Sequence, residues 1–379
     1  MAAQCKDPGL SPGQCKSGYH ALFTASPLPT CPTCPDNKDG LGFAESPDGL
    51  SWQALRPITQ GTPGSRWPHS PPIGGEVGSV NRIGTRVFVV IGGRLNSAPS
   101  IEGPYTPTLD NPLVLNGPIN SETSDSACTN GACWSFPRLW DLSTDAENLT
   151  LMTVNRLVGG HTAYSDALKQ ARVDENGTLR LCWWKGNDAM RGRPLPVVPP
   201  SGDGTAAPLS SFKLTQWDLS AGLMLTAGAG AVVGSDDCVG VAVANGSDSG
   251  WVGCWHRSRG VGLIGGARLN RTGFDWAFPP TVVERGQPFD ATGPLRLRLV
   301  ARTAKGSVGT PFRSGGFKKG THTMIDVYIQ DYLLAVWTLN NASGLVGLTG
   351  IGGGQSLSPC GAGCEAHAMT FRGEMALPE

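Results

Sequence analysis

Apolar and polar residues alternate over short runs along this chain and almost nowhere recur at the spacing of a helix face. The runs are Tyr19–Thr24, Val77–Asn81, Val87–Gly92, Leu149–Asn155, Leu179–Trp184, Leu295–Arg302, Met324–Ile329 and Leu333–Leu339, each bounded by Gly, Pro, Asn or Asp. Short β-branched or apolar runs punctuated in this way predict strands joined as antiparallel hairpins. The fold class is therefore all-β. Gly177 after Asn176, and Asp331 in Ile329-Gln330-Asp331-Tyr332, fall where hairpin turns are expected. Leu295-Arg296-Leu297-Arg298-Leu299 has the strict alternation of a strand buried on one face only.

The pattern lapses over residues 186–212, which are rich in Gly and Pro and have no periodicity. This break predicts an N-terminal domain over 1–190, a linker over 191–207 and a C-terminal domain over 208–379. The N-terminal part carries a loose pattern of about 50–60 residues, with a polar first strand, an apolar middle strand and an outer strand, which is how a propeller blade reads.

Composition removes several function classes. The 30 Lys+Arg balance 30 Asp+Glu, and no basic cluster offers a phosphate-neutralising stripe, so nucleic acid is not an expected partner. No apolar run reaches the length of a membrane-spanning helix; the longest, near Leu223–Val233, is broken by glycines. The 11 cysteines include the close pairs Cys5/Cys15, Cys31/Cys34, Cys128/Cys133, Cys238/Cys254 and Cys360/Cys364. Asn-x-Ser/Thr sequons occur at Asn148, Asn176, Asn245, Asn270 and Asn341. Together these predict an extracellular or secretory-lumen glycoprotein with five disulfides and one thiol. Met1-Ala2-Ala3-Gln4-Cys5 has neither a basic nor an apolar leader region, so a signal peptide is not expected within this chain. Cys31-Pro32-Thr33-Cys34 has no second CxxC to complete a zinc site, and the six His are scattered, so neither a metal nor a cofactor is expected. No phosphate-binding loop, dinucleotide fingerprint or serine-nucleophile elbow occurs in a strand–helix context.

Gly40–Leu55 contains Phe43-Ala44-Glu45-Ser46-Pro47-Asp48-Gly49-Leu50-Ser51-Trp52. It resembles the Ala-x-Ser-x-Asp-Gly-x-x-Trp strand that closes the first blade of five-bladed propeller glycosidases, the invertase/levanase and arabinanase types of glycoside hydrolase families 32 and 43. It also looks like the sialidase Asp-box, one residue short. Upstream, Lys6-Asp7-Pro8-Gly9 followed by Tyr19-His20-Ala21-Leu22-Phe23 is similar to the invertase-type Asn-Asp-Pro-Asn-Gly and Tyr-His-Leu-Phe-Tyr pair, with Asp7 and Tyr19 separated by 12 positions. Gly75–Gly84 looks like an inner strand that starts at a carboxylate, and Trp134–Asp141 like the opening of a third blade. Met324–Asp331 and Gly347–Gly350 resemble the hairpin and closing strand of the sandwich attached to family 32 propellers. The resemblance implies a five-bladed β-propeller, complete or truncated, followed by a concanavalin-like β-sandwich. Five blades take about 250–300 residues, more than the N-terminal part supplies. The Arg-Asp-Pro and Glu-Cys motifs, which in invertases carry the transition-state stabiliser and the acid, do not occur.

Glycoside hydrolysis needs one ionised and one protonated carboxyl group across the scissile bond. Asp7 is the candidate nucleophile or base, with an Asp-Pro turn as its purely structural reading. Glu76 follows the Gly74-Gly75 pair and enters an apolar strand, where partial desolvation would suit a general acid; a solvated strand-end Glu is the plain alternative. Asp141 is the third carboxylate, oriented by Arg138 or merely ion-paired to it, and Asp166 is a weaker alternative. Trp67 and Trp134 could stack on sugar rings, and His161 could donate to a sugar hydroxyl. Two function classes follow: a secreted glycoside hydrolase acting on an oligo- or polysaccharide, or a non-catalytic carbohydrate-binding or structural glycoprotein on the same scaffold. Carbohydrate is the expected partner in both, and the oligomeric state is left open.

Overall fold

The computed structural model describes residues 2–5, 17–25, 40–55, 78–91, 94–107, 135–141, 150–158, 162–165, 167–195, 212–213, 221–229, 238–244, 249–270, 273–285, 295–308, 318–340, 345–351 and 365–370. Strands dominate the described residues, as the alternation predicted. The chain divides into two compact units. The first comprises Met1–Pro112, Ser135–Asn155 and Gln170–Arg180, and the second Leu113–Trp134, Arg156–Lys169 and Leu181–Glu379.

In the first unit, β1 (Ala2–Cys5), β2 (Tyr19–Ala25), β3 (Gly40–Ser46) and β4 (Gln53–Ala54) form a four-stranded antiparallel meander. A second meander follows from β5 (Gly78–Ile83), β6 (Arg86–Ile91), β7 (Arg94–Ala98) and β8 (Thr106–Pro107). A third group begins with β9 (Ser135–Asp141), which pairs with β10 (Thr150–Val158). The first strands of the three groups are neighbours: β5 lies beside both β1 and β9. Leu22 and Phe43 of the first meander pack with Val80, Val87, Val89, Ala98, Ile101 and Tyr105 in one core. Burying each of these large side chains contributes roughly 1.5–3 kcal/mol of transfer free energy. The Tyr105 ring is fully enclosed, and its hydroxyl donates to the Ile101 carbonyl at 2.8 Å.

The remaining strands in chain order are β11 (Thr162–Ser165), β12 (Lys169–Val173), β13 (Leu179–Trp183), β14 (Arg191–Leu195), β15 (Phe212–Lys213), β16 (Ala221–Ala229), β17 (Cys238–Ala244), β18 (Ser249–His256) and β19 (Val261–Asn270). They continue with β20 (Gly273–Trp276), β21 (Thr281–Arg285), β22 (Leu295–Val308), β23 (Lys318–Ile329), β24 (Tyr332–Asn340), β25 (Leu345–Ile351) and β26 (Glu365–Thr370). In the second unit one sheet runs β13-β24-β23-β22-β16-β26-β14 and another β15-β25-β17-β18-β19, with β20 and β21 both pairing to β19. β24 approaches β18, β19 and β21, so the two sheets meet. In the second sheet Cys238 and Cys254 lie on adjacent strands, Cα atoms 5.4 Å apart, as a disulfide. Gly240 faces Cys254 in register, where a Cβ would collide with the Gly253 carbonyl.

Each of the eight runs read from the sequence falls on a strand, but β22 and β23 extend well past the predicted ends, to Val308 and back to Lys318. Those extensions are mostly Lys, Thr and Gly, so no apolar alternation marks them. Arg298 corrects the one-sided reading of β22: it is buried, with the Trp183 ring against its guanidinium, whereas Arg296 on the same face is half exposed. Residues 191–195, at the start of the stretch read as a linker, form β14, the last strand of its sheet, and Pro194 is tolerated on such an edge. The hairpin tip at Gln330–Asp331 has positive φ at both residues, 50° and 68°, as a two-residue primed turn requires.

Candidate functional site

Six of the residues proposed from the sequence, Asp7, Trp67, Glu76, Trp134, His161 and Asp166, lie outside the described residues. Arg138 and Asp141 lie on β9, Asp141 as its last residue. In the chain, Asp7 follows the end of β1 by two residues and Glu76 precedes the start of β5 by two. In sequence, each of the three candidate carboxylates thus falls within or two positions from one of the three neighbouring first strands.

The segment that resembles the blade-closing motif forms a tight turn. The Ser46 hydroxyl donates to Asp48 Oδ1 at 3.0 Å and accepts from the Gly49 N–H at 2.8 Å. The same carboxylate oxygen accepts the N–H groups of Leu50 and Ser51, both at 2.8 Å, and Trp52 Nε1 donates to the Gly49 carbonyl at 3.0 Å. The Ser51 and Leu50 amides, then the Ser46 hydroxyl, hold the Asp48 carboxyl below its ordinary pKa. The Ser, Asp and Trp of the motif therefore tie the β3–β4 turn together, with Asp48 Oδ1 accepting three of its bonds.

The second unit holds a cluster of charge that the sequence reading did not single out. Lys169, wholly buried, donates through Nζ to Asp326 Oδ2 at 2.8 Å and to the Ala167 carbonyl at 3.0 Å. The Tyr328 hydroxyl stands 3.5 Å from the same carboxylate oxygen. Nearby, the Arg298 guanidinium lies 4.3 Å from the centroid of the Trp183 ring, and Tyr328 meets that ring edge-on at 5.5 Å. Trp183 Nε1 donates to Asp188 Oδ1 at 3.2 Å, and Arg191 pairs with the same oxygen at 3.2 Å. Asp331 accepts from Arg298 at 2.6 Å and also from Arg296, while its carbonyl takes the Trp183 N–H at 2.7 Å. Burial lowers the pKa of Arg298, and the adjacent Asp331 opposes that shift. With Lys169 enclosed and Asp331 shared by two guanidinium groups, this cluster fixes the ends of β13, β22 and the β23–β24 turn rather than presenting a free acid and base. The sequence signal was an Asp set in an apolar strand, Ile325-Asp326-Val327, with no indication of its partner.

Among the described residues no group of three or more His, Cys, Asp or Glu side chains could hold a metal ion. No helix among them is long and apolar enough to cross a membrane.

No protein-family model matches the sequence, and a search of curated proteins finds no match. Solved structures do match. A GH32 beta-fructofuranosidase from Bombyx mori is 9% identical, with a TM-score of 0.34 over 93% of this chain and 77% of its own. An exo-inulinase from Aspergillus awamori is 12% identical, with a TM-score of 0.34 over 97% of this chain and 82% of its own. A GH43 protein from Bacillus licheniformis is 11% identical, with a TM-score of 0.24 over 94% of this chain and 84% of its own. The structures it is similar to thus include members of glycoside hydrolase families 32 and 43.

Proposed function

We propose that the chain is a secreted glycoside hydrolase that cleaves glycosidic, in the first instance furanosidic, bonds of an oligo- or polysaccharide. In this reading the scaffold is a five-bladed propeller followed by a concanavalin-like sandwich. The acid and its partner are drawn from Asp7, Glu76 and Asp141, with Trp67, Trp134, Arg138, His161 and Asp166 contacting the sugar. The supporting observation is that β5 lies beside both β1 and β9, the strands next to which these carboxylates fall in the chain. Converging first strands are how a propeller gathers distant side chains at one funnel.

Strand direction decides which pair works. Asp141 is the last residue of β9, whereas in the chain Asp7 follows β1 and Glu76 precedes β5. In this reading, first strands that run alike would bring Asp7 and Asp141 to one mouth and leave Glu76 a strand length away, about 20 Å at 3.3 Å per residue. Inverting and retaining enzymes need carboxyl groups no more than about 10 Å apart.

The test is hydrolysis of aryl furanosides, aryl pyranosides and fructans by the wild type and by Asp7→Asn, Glu76→Gln and Asp141→Asn. Turnover that collapses in two of the three assigns the pair. The missing Arg-Asp-Pro and Glu-Cys motifs favour the second reading, a carbohydrate-binding scaffold without catalysis. Absence of turnover on every substrate, with glycan binding that survives all three substitutions, would establish that reading instead.

A further inference from the structure

The hairpin between β12 and β13 turns at Asp174-Glu175-Asn176-Gly177-Thr178, and Asn176 heads a sequon whose three residues are all described. The turn is held by its own backbone and by Asp174. The Asp174 N–H donates to the Thr178 carbonyl at 3.0 Å, and the Gly177 N–H to the Asp174 carbonyl at 2.9 Å. Asp174 Oδ1 accepts the N–H groups of Asn176 and Thr178, at 3.0 and 2.9 Å, and Oδ2 accepts from Arg180 Nε at 2.9 Å. Gly177 supplies the positive φ, 78°, that closes the turn. None of these bonds uses the Asn176 side-chain amide, and Asn176 is exposed at the tip.

We propose that Asn176 is an N-glycosylation site, an inference that rests on the secretory part of the proposed function. The donor is an oligosaccharide carried on a polyisoprenyl diphosphate. A bond forms between Asn176 Nδ2 and the anomeric carbon of the sugar, the bond from that carbon to the diphosphate oxygen breaks, and the lipid diphosphate leaves. Nδ2 gives up one proton to the transferase's base. Two independent features point to this chemistry: the acceptor tripeptide, with the hydroxyl residue as Thr, and a turn that already satisfies itself without the acceptor amide. A glycan here projects from a hairpin tip and displaces no hydrogen bond.

The protein is produced in a eukaryotic secretory host, and the peptide spanning Asn176 is analysed by mass spectrometry after enzymatic glycan release in heavy-oxygen water. A parallel incubation in heavy-oxygen water without the releasing enzyme separates a released glycan from spontaneous deamidation at Asn176-Gly177. The expected result is labelled Asp at position 176. Asn176→Gln should remove one glycan-sized step in electrophoretic mobility while melting at the same temperature as enzymatically deglycosylated wild type. Substitution of Thr178 is a poorer control, because that side chain is buried. An unmodified Asn176 overturns the proposal. If other sequons in the same sample carry glycans, this site alone falls; if none does, the secretory reading falls with it.

Discussion

Lys169 and Asp326 are 157 positions apart in the chain and meet as a buried ion pair at 2.8 Å, with side chains 0% and 4% exposed. A charge so enclosed is tolerable only with its partner. Lys169→Met should cost about 3–5 kcal/mol, since it leaves the Asp326 carboxylate buried without its countercharge. Adding Asp326→Leu to that variant should recover much of the loss, because two apolar groups no longer need each other. Urea midpoints of the single and double variants check this; a double variant as unstable as the sum of its singles would contradict it.

Asp48 makes a prediction about acid. Its folded pKa is depressed below 3.8 by the amides of Ser51 and Leu50 and by the Ser46 hydroxyl. A depressed carboxylate stabilises the fold above its unfolded pKa and loses that contribution as pH falls through the folded value. Asp48→Asn keeps one side-chain oxygen and removes the charge. The gap in melting temperature between wild type and variant should be constant at neutral pH and narrow only below about pH 4.

Tyr105 makes the opposite prediction. Enclosure in the core raises the phenol pKa above its ordinary value of 10.0, an effect that nearby Arg82 partly offsets. A group that loses protons less readily when folded contributes stability below its unfolded pKa, and that contribution drains away as pH rises past it. Tyr105→Phe should cost about 1 kcal/mol at neutral pH through the lost bond to Ile101. It should also blunt the alkaline fall in stability, and ultraviolet titration should show one fewer tyrosinate appearing with unfolding.

Gly240 is confined by its neighbours. A Cβ there would run into the Gly253 carbonyl and the backbone of Cys254. Neither is the free end of a side chain, so Gly240→Ala should destabilise by about 1–3 kcal/mol. Gly266 on β19 has nothing within 4 Å of the equivalent position, so Gly266→Ala serves as the control. Comparable melting of the two variants would sink the argument.

The strands were legible because alternation is local. Leu179–Trp183 and Tyr332–Asn340 announce themselves within a handful of residues, and so does the Gln330–Asp331 turn between flanking apolar runs. Burial of Lys169 and Arg298 was not legible, since each depends on a residue brought from far along the chain: Asp326 for one, Trp183 for the other. In Leu295–Leu299 both arginines read as solvent-facing; Arg296 is half exposed, but nothing in those five residues reveals what covers Arg298. The candidate site was legible only through resemblance. Its Ser46–Trp52 motif proves to organise a turn, while Arg138 and Asp141 are located on β9 by backbone alone and the other six site residues lie outside the described residues.

The two hairpin tips differ in a way that matters to anyone who wishes to label or split this chain. Tips are ordinarily where inserted sequence is tolerated. At Gln330–Asp331, however, the tip holds Arg296 and Arg298 through the Asp331 carboxylate and Trp183 through the Asp331 carbonyl. An epitope or cleavage sequence spliced there would release three partners at once. The Asp174–Thr178 tip bonds almost wholly within itself, with Arg180 as the sole partner beyond the turn among the bonds described above, and of the two it is the place to attach a probe.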